Sequence, residues 1–484
     1  MDGDPNEKYV ILQNIGMSLL RDFFKSSSLY FLGNVLTKLI GFLMLPIFTE
    51  YLNTNEYGYY DVANTYLNLV ISFLFLDIYV GIMRFIYDQK ETETAYRPIF
   101  NGFLIFMVSL VLYTIISWGI WFFNDIPYFI YIYGYGICLV FNNLYGYMAR
   151  AFKKNLLFAG SGIVATLITA IINFIGLKYF HANIEILYIA AMLGLLSQII
   201  VIECHVPVLR KLSFSLYDRK LFFSLYKFSL PLCLNSLAFW LLTGYGNVMI
   251  SRLLGLEQNG VYSIAVKFAL VINLVAMCFN MAWQEVSFER GNEDRTSLGL
   301  FYSRAINLLI SFLCIGMLCL IHFSYIVFPY MIDSQYAEAF SIIPLAILSA
   351  GIAVVSSFMG QIYAALKKTN VIMYSTFTAA IVNMICMPLF ISRWGIHGAI
   401  LSLILSYLLN VVMRFFWIRS MVHIRLNYLF LAIFAVALIV SGYIYYQGEM
   451  MINVLGIILF FCFGAIYQRD FLYTLYRKIY GHIQ

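Results

Sequence analysis

Four basic side chains stand in apolar company. Lys38 opens KLIGFLMLPIF, Lys267 lies in YSIAVKFALVI, Arg84 in GIMRFI and Arg304 in FYSRAINLLI. An ionised group in such a stretch faces a protein interior or water rather than hydrocarbon, so the four point to a cationic, solvated cavity. Acids occur in similar settings: Asp61, Asp77, Glu50, Glu203 and Glu285, any of which is chemically able to carry a proton or bind Na⁺. Asp77 and Arg84, seven apart, share one face of a continuous helix, so a simple ion pair is the other reading of both. Polar groups recur at helical spacing, Asn273, Asn280 and Gln284 on one face and Asp61, Asn64 and Asn68 on another. Such faces suit a polar ligand or hydrogen bonds between helices. Other chemistries lack their residues. The sequence has no GxxxxGK[ST], HExxH or GxSxG, and its 8 Cys form no CxxC pair, so neither ATP use, zinc, a metal centre nor a disulfide is expected.

The elements that must position these groups follow from composition. Of 484 residues, 62% are hydrophobic and 11% charged, against about 45–50% and about 25% in soluble domains. A chain this apolar cannot cover itself with polar surface, and it is an integral membrane protein. Aromatics at 18% suit lipid-facing and interfacial positions. The net charge of +6 does not point to nucleic acid, because its distribution matters more than its size.

A helix crossing hydrocarbon needs about 20 mostly apolar residues. About fourteen stretches qualify: 29–51, 58–81, 98–123, 128–149, 156–179, 186–206, 225–252, 260–284, 299–322, 341–365, 371–391, 397–418, 428–447 and 451–468. The predicted fold is all-α, with two six-helix lobes (29–206 and 225–418) and two further helices (428–468). Segments 1–28 and 207–224 and the tail 469–484 lie outside the spans. With both termini cytoplasmic, the inside segments take most of the basic residues, Arg150 and Arg414 among them, and the outside segments only Lys178, Arg252 and Arg393, as the positive-inside rule requires. The first 28 residues, with Asp2, Asp4, Glu7 and Asp22, show no cleaved signal peptide. The stretch Asp470–Gln484 is expected on the inner membrane surface.

The halves repeat. At an offset of 202, Leu52, Gly58, Tyr60 and Ala63 meet Leu254, Gly260, Tyr262 and Ala265. RAFKKN (Arg150–Asn155) parallels AALKKTN (Ala364–Asn370), and Asn173 falls opposite Asn383. Two halves of like orientation, related by an axis along the membrane normal, are expected. Pro46 and Pro231, inside their spans, predict kinks that are either gating hinges or fixed bends.

KLIGFLMLPIFTEYL with EYGYYD, then IMRF, FSLPL, LLGLEQNGVYSIAVKFA and WGIHGAI (Trp394–Ile400), together resemble the bacterial O-antigen and capsule repeat-unit flippases of the multidrug/oligosaccharidyl-lipid/polysaccharide exporter superfamily. The motifs span nearly the whole chain. Where many relatives carry an Asp-Arg pair late in the seventh span, Gly246-Asn247 stands here, so any role of that pair does not transfer.

The resemblance implies a non-enzymatic flippase in a bacterial inner membrane. Its cargo would be a polyprenyl-pyrophosphate-linked oligosaccharide, carried by alternating access through a cationic central cavity. Membrane lipid and other polysaccharide assembly proteins would be its partners. No cofactor is implied beyond a counter-ion, either H⁺ or Na⁺. Lys38, Arg84, Lys267 and Arg304 would meet pyrophosphate or acidic sugar, and Asn64, Asn68, Asn273 and Asn280 would meet sugar hydroxyls. Asp61, Asp77 and Glu285 are the coupling candidates. Snorkelling would alone account for Arg304, interfacial anchoring for Arg84, and structural ion pairs for Lys38 and Lys267. A multidrug exporter of the same superfamily is the alternative, although its cationic drugs favour acidic cavities. A membrane glycan polymerase would need a larger extramembrane loop than this chain has.

Overall fold

A computed structural model describes residues 35–89, 94–289, 295–366, 368–422 and 424–469. Segment 1–28, the start of the first span and the tail Asp470–Gln484 lie outside the described residues, as do the side chains of Asn280, Gln284 and Glu285.

All regular structure among the described residues is helical. The chain runs through α1 (35–43), α2 (Leu45–Tyr51), α3 (Thr54–Leu74), α4 (Ile78–Ile86), α5 (Tyr96–Phe123), α6 (Phe129–Ala151), α7 (Asn155–Phe180) and α8 (Glu185–His205). It continues through α9 (Arg219–Thr243), α10 (Tyr245–Leu253), α11 (Leu256–Glu289), α12 (Arg295–Met331) and α13 (Ala339–Ala365). The last three are α14 (Thr369–Met421), α15 (Tyr428–Gln447) and α16 (Met450–Tyr467). This is a multi-pass membrane protein. Among the described residues nine helices are long and apolar enough to cross a membrane, ten when the bent pair α3 and α4 counts as one. Length and apolarity alone therefore stop short of fourteen. α14 carries two of the expected spans, the first span is described only in part, and α6 is diluted by groups such as Asn142 and Asn143.

Three of the expected spans are broken: the first at Met44, the second at Leu76–Asp77 and the seventh at Gly244. Leu76 (φ 52) and Asp77 (φ 49) adopt left-handed backbone, and α3 and α4 meet there at 50°. The continuous span drawn over 58–81 is corrected accordingly: an acid in mid-span marks a break. Because left-handed backbone strains a branched residue, Leu76→Gly is expected to raise thermal stability by about 1 kcal/mol, read from unfolding of the purified protein. The seventh span, drawn over 225–252, divides at Gly244 between α9 and α10. α14 breaks at Trp394 and Gly395 (φ 55, ψ −138), inside WGIHGAI, where a turn between two spans was expected. Of the two prolines, Pro46 sits in the first turn of α2, just past a break at Met44, where its missing N–H is harmless. Pro231 lies within α9.

Two compact units emerge, one of residues up to Ile47 with Tyr66–Leu237, the other of Phe48–Thr65 with the chain from Ala238 onward. In the first, α4 packs on α5 and α6, α6 on α8, and α7 on α8. Its core holds Phe75, Ile78, Ile82, Phe106, Tyr113 and Leu144. In the second, α13 joins α11 to α14, and α12 holds α15 and α16. The repeated sequence has a repeated shape. Lys154 and Lys368 each precede a helix with similar backbone (φ −91, ψ 57 and φ −108, ψ 52). Each donates its N–H five residues back, to Ala149 and Tyr363, at 2.8 Å.

Candidate functional site

The repeat also brings its own residues together inside the second unit. At the start of α3 and α11, Gly58 and Gly260 face one another so closely that backbone touches backbone. Asn259 Nδ2 donates to the Gly58 carbonyl at 2.9 Å. One turn along, Asp61 meets Ser263, its counterpart at the same offset, whose hydroxyl donates to the carboxylate at 2.5 Å. Asn247 of α10 donates its amide to the same carboxylate and to Thr65 Oγ1, the latter at 3.0 Å. Lys267, one turn beyond Ser263, attracts Asp61 electrostatically without a direct ion pair. Asn64 hydrogen-bonds Tyr60. The result is a half-buried carboxylate amid apolar helices, held by two neutral donors and one nearby cation. Such a group can exchange a proton or shift its partners as helices move.

Around this crossing further contacts tie the chain down. Tyr336 hydroxyl donates to the Leu52 carbonyl at 2.9 Å, and burial, with Tyr57, Glu56 and Asp333 adding to it, pushes its phenol up. Trp240 Nε1 donates to the Thr65 carbonyl at 3.0 Å.

A second polar cluster lies in the first unit. Asp77 directly precedes α4 and accepts from Ser236 and from Tyr79 Oη, the latter at 2.8 Å. Arg84 does not pair with Asp77, contrary to the same-face reading. The break at Leu76–Asp77 uncouples them, and Arg84 pairs with Asp88 at 2.5 Å, both exposed.

The remaining expected residues divide between the units. Lys38 and Asn68 are exposed in the first, Arg304 is exposed in the second, and Asn273 is half-buried on α11. Asn173 and Asn383 are both buried, and Asn383 bonds the Leu241 carbonyl at 3.1 Å and Ser402 Oγ at 2.9 Å, as packing residues do. Sequence reasoning missed Ser236, Asn247 and Ser263, neutral donors that only the fold places on carboxylates. It also placed Arg414 among cytoplasmic anchors, whereas this side chain is buried on Ser356, Ser375 and Thr376. Ser402, Ser406 and Asn410, spaced by four before it and all buried, were the available signal.

Known proteins fit this architecture. The family described as "Polysaccharide biosynthesis protein" matches residues 23–288. The chain belongs to that family. A second family, MatE, matches residues 231–389. A structure of the lipid II flippase MurJ, in an inward closed conformation, is similar at TM-score 0.71 and 16% identity, covering 92% of this chain and 99% of that one. An inward-facing multidrug resistance MATE family transporter of the MOP superfamily gives TM-score 0.66 at 12% identity, covering 79% and 95%. At such identities the likeness is one of fold. Lsg locus putative protein 1 of Haemophilus influenzae is 24% identical over 265 residues, 54% of this chain and 64% of that protein, so the chain spans under two thirds of this relative's length. The family expected from the sequence motifs is thus the family found.

Proposed function

We propose that this chain is a flippase that carries polyprenyl-pyrophosphate-linked oligosaccharide repeat units from the inner to the outer leaflet by alternating access. The observation that carries the reading is an acid held by neutral donors beside a lysine, amid apolar helices, in a chain of the polysaccharide biosynthesis family. A pyrophosphate with several sugars cannot cross hydrocarbon without a large desolvation cost, whereas its lipid tail can remain in the bilayer. Lys38, Arg84, Lys267 and Arg304 supply cations for the phosphates, and Asp61 is the coupling acid for H⁺ or Na⁺. Residues 29–206 and 225–418 act as the moving lobes, with 428–468 appended. The likeness in fold to a protein named as a lipid II flippase accords with this.

The MatE match and the MATE-like fold favour a second reading, export of cationic drugs. One experiment separates the two. Cells lacking the chromosomal copy are complemented with wild type, Lys38→Ala or Lys267→Ala, and surface polysaccharide and lipid-linked intermediates are measured. Wild type should restore export, while each variant reaches the membrane yet exports at least about tenfold less, the effect of roughly one lost charge-assisted contact. Normal export by both variants would remove the cationic role. Altered dye efflux with unchanged polysaccharide would replace the flippase reading with the second.

A further inference from the structure

The first unit contains a cavity of about 360 Å³ between α6, α7 and α8, apart from the residues considered so far. Its walls mix amides and hydroxyls (Asn142, Asn143, Gln198, Thr166) with the apolar Phe158 and Leu195, and Arg150 stands at one end. Behind this lining two fully buried polar atoms, Asn142 Oδ1 and Arg150 Nε, have no partner among the described residues. Gln198, 6% exposed, presents its amide beside Gly162. The Arg150 guanidinium lies 4.0 Å from the Tyr147 ring centre and makes no ion pair among the described residues. Polar groups inside a protein are nearly always paired, so a cavity lined by side-chain amides beside a guanidinium that has no counter-ion among the described residues calls for a ligand that both donates and accepts.

The lining narrows the choice. An alkyl chain would leave the lining amides and the guanidinium without partners. A cationic drug would meet Arg150, and no Asp or Glu lines the cavity to receive it. A hydroxyl-rich ring fits the amides, which donate and accept, and an anionic oxygen fits the guanidinium. The volume is at the small end for ligand sites, enough for one or two sugar rings. Arg150, Lys153 and Lys154 cluster at this end of α6, which the positive-inside rule assigns to the cytoplasmic face.

We propose that this cavity is a glycosyl-phosphate subsite: Asn142, Asn143 and Gln198 hydrogen-bond the sugar nearest the lipid, and Arg150 binds a phosphate oxygen attached to it. The proposal rests on the flippase reading above and gives that reading a loading site in the amino-terminal unit.

Native mass spectrometry of the purified full-length chain tests it. The probes are undecaprenyl pyrophosphate, undecaprenyl-pyrophosphoryl-N-acetylglucosamine, its glucose counterpart, and UDP-N-acetylglucosamine as a soluble source of the same chemistry. Wild type should prefer at least one glycosylated lipid over undecaprenyl pyrophosphate by about tenfold. Gly162→Leu, which fills the cavity, and the double variant Asn142→Leu/Gln198→Leu should lose that preference while still binding undecaprenyl pyrophosphate. Thr166→Val, nearly isosteric, guards against misfolding and should lower the preference in part. Preference retained in all three variants, or absent from wild type, overturns the subsite. UDP-N-acetylglucosamine binding as tightly as the lipids overturns the lipid-borne source. Wild type that binds none of the lipids instead overturns the flippase reading itself.

Discussion

Gly260→Ala is expected to destabilise the protein and to stop transport. A Cβ built on Gly260 falls 2.0 Å from the Thr54 carbonyl oxygen and 3.2 Å from the Gly58 nitrogen. One on Gly58 falls 1.8 Å from the Leu256 carbonyl oxygen and 2.8 Å from the Gly260 nitrogen. All four neighbours are backbone, which cannot turn aside as a side chain can, so the crossing of α3 and α11 must open. Overpacking of this kind costs about 1–3 kcal/mol and sometimes more. Opening also pulls Ser263 away from Asp61, which lies one turn further along. Gly316→Ala is the control, since its Cβ would meet nothing within 4 Å, and removing a helix-interior glycine should stabilise by about 0.5–1 kcal/mol. Thermal unfolding in detergent should therefore separate the two substitutions in sign. Because Gly58 and Gly260 face each other, the double alanine variant should cost less than the sum of the singles. Equal unfolding temperatures for Gly260→Ala and Gly316→Ala would show that the crossing is not tightly packed.

Much of this was legible in the chain itself, for definite physical reasons. Hydrophobic runs long enough to cross a bilayer set the helices: the span drawn over 428–447 coincides with α15, and that over 98–123 nearly with α5. Repeats preserve backbone geometry, so the KK turns at Lys154 and Lys368 and the glycine pair at an offset of 202 were visible as letters before they were visible as contacts. What stayed hidden depends on neighbours distant in sequence. Asp77 looked like the partner of Arg84 because a straight helix was assumed, and two left-handed residues sent each to another partner. Asn247 looked like a departure from the family pattern, and nothing local shows that its amide reaches Asp61, 186 residues away. Arg150 looked like a loop charge because only folding lays it over Tyr147 beside the amides of α6 and α8. Side chains whose partners lie on the same helix can be read from spacing. Those whose partners are placed by packing cannot.

Asp61→Asn should leave a folded protein in the membrane and lower export at least about tenfold, the effect of removing one charge-dependent interaction of roughly 1.4 kcal/mol. The substitution keeps shape and one acceptor oxygen for Ser263 and Asn247, so stability should change little. What it removes is the charge that faces Lys267 and the ability to bind and release a proton or Na⁺. Asp61→Ala goes further, because Ser263 and Asn247 then lose their acceptor, at a cost of about 1–3 kcal/mol for a buried donor left unpaired. It should therefore lower both the amount of protein in the membrane and its export. Asp61→Glu separates structure from coupling, because it keeps the charge and the titratable group while displacing the oxygens that Ser263 and Asn247 reach. Export kept in part by Asp61→Glu and lost in Asp61→Asn marks a coupling acid. Equal loss in both variants marks a structural acceptor. Normal export by Asp61→Asn alone would remove the carboxylate from the mechanism and leave the Gly58–Gly260 crossing as the functional feature of this helix pair.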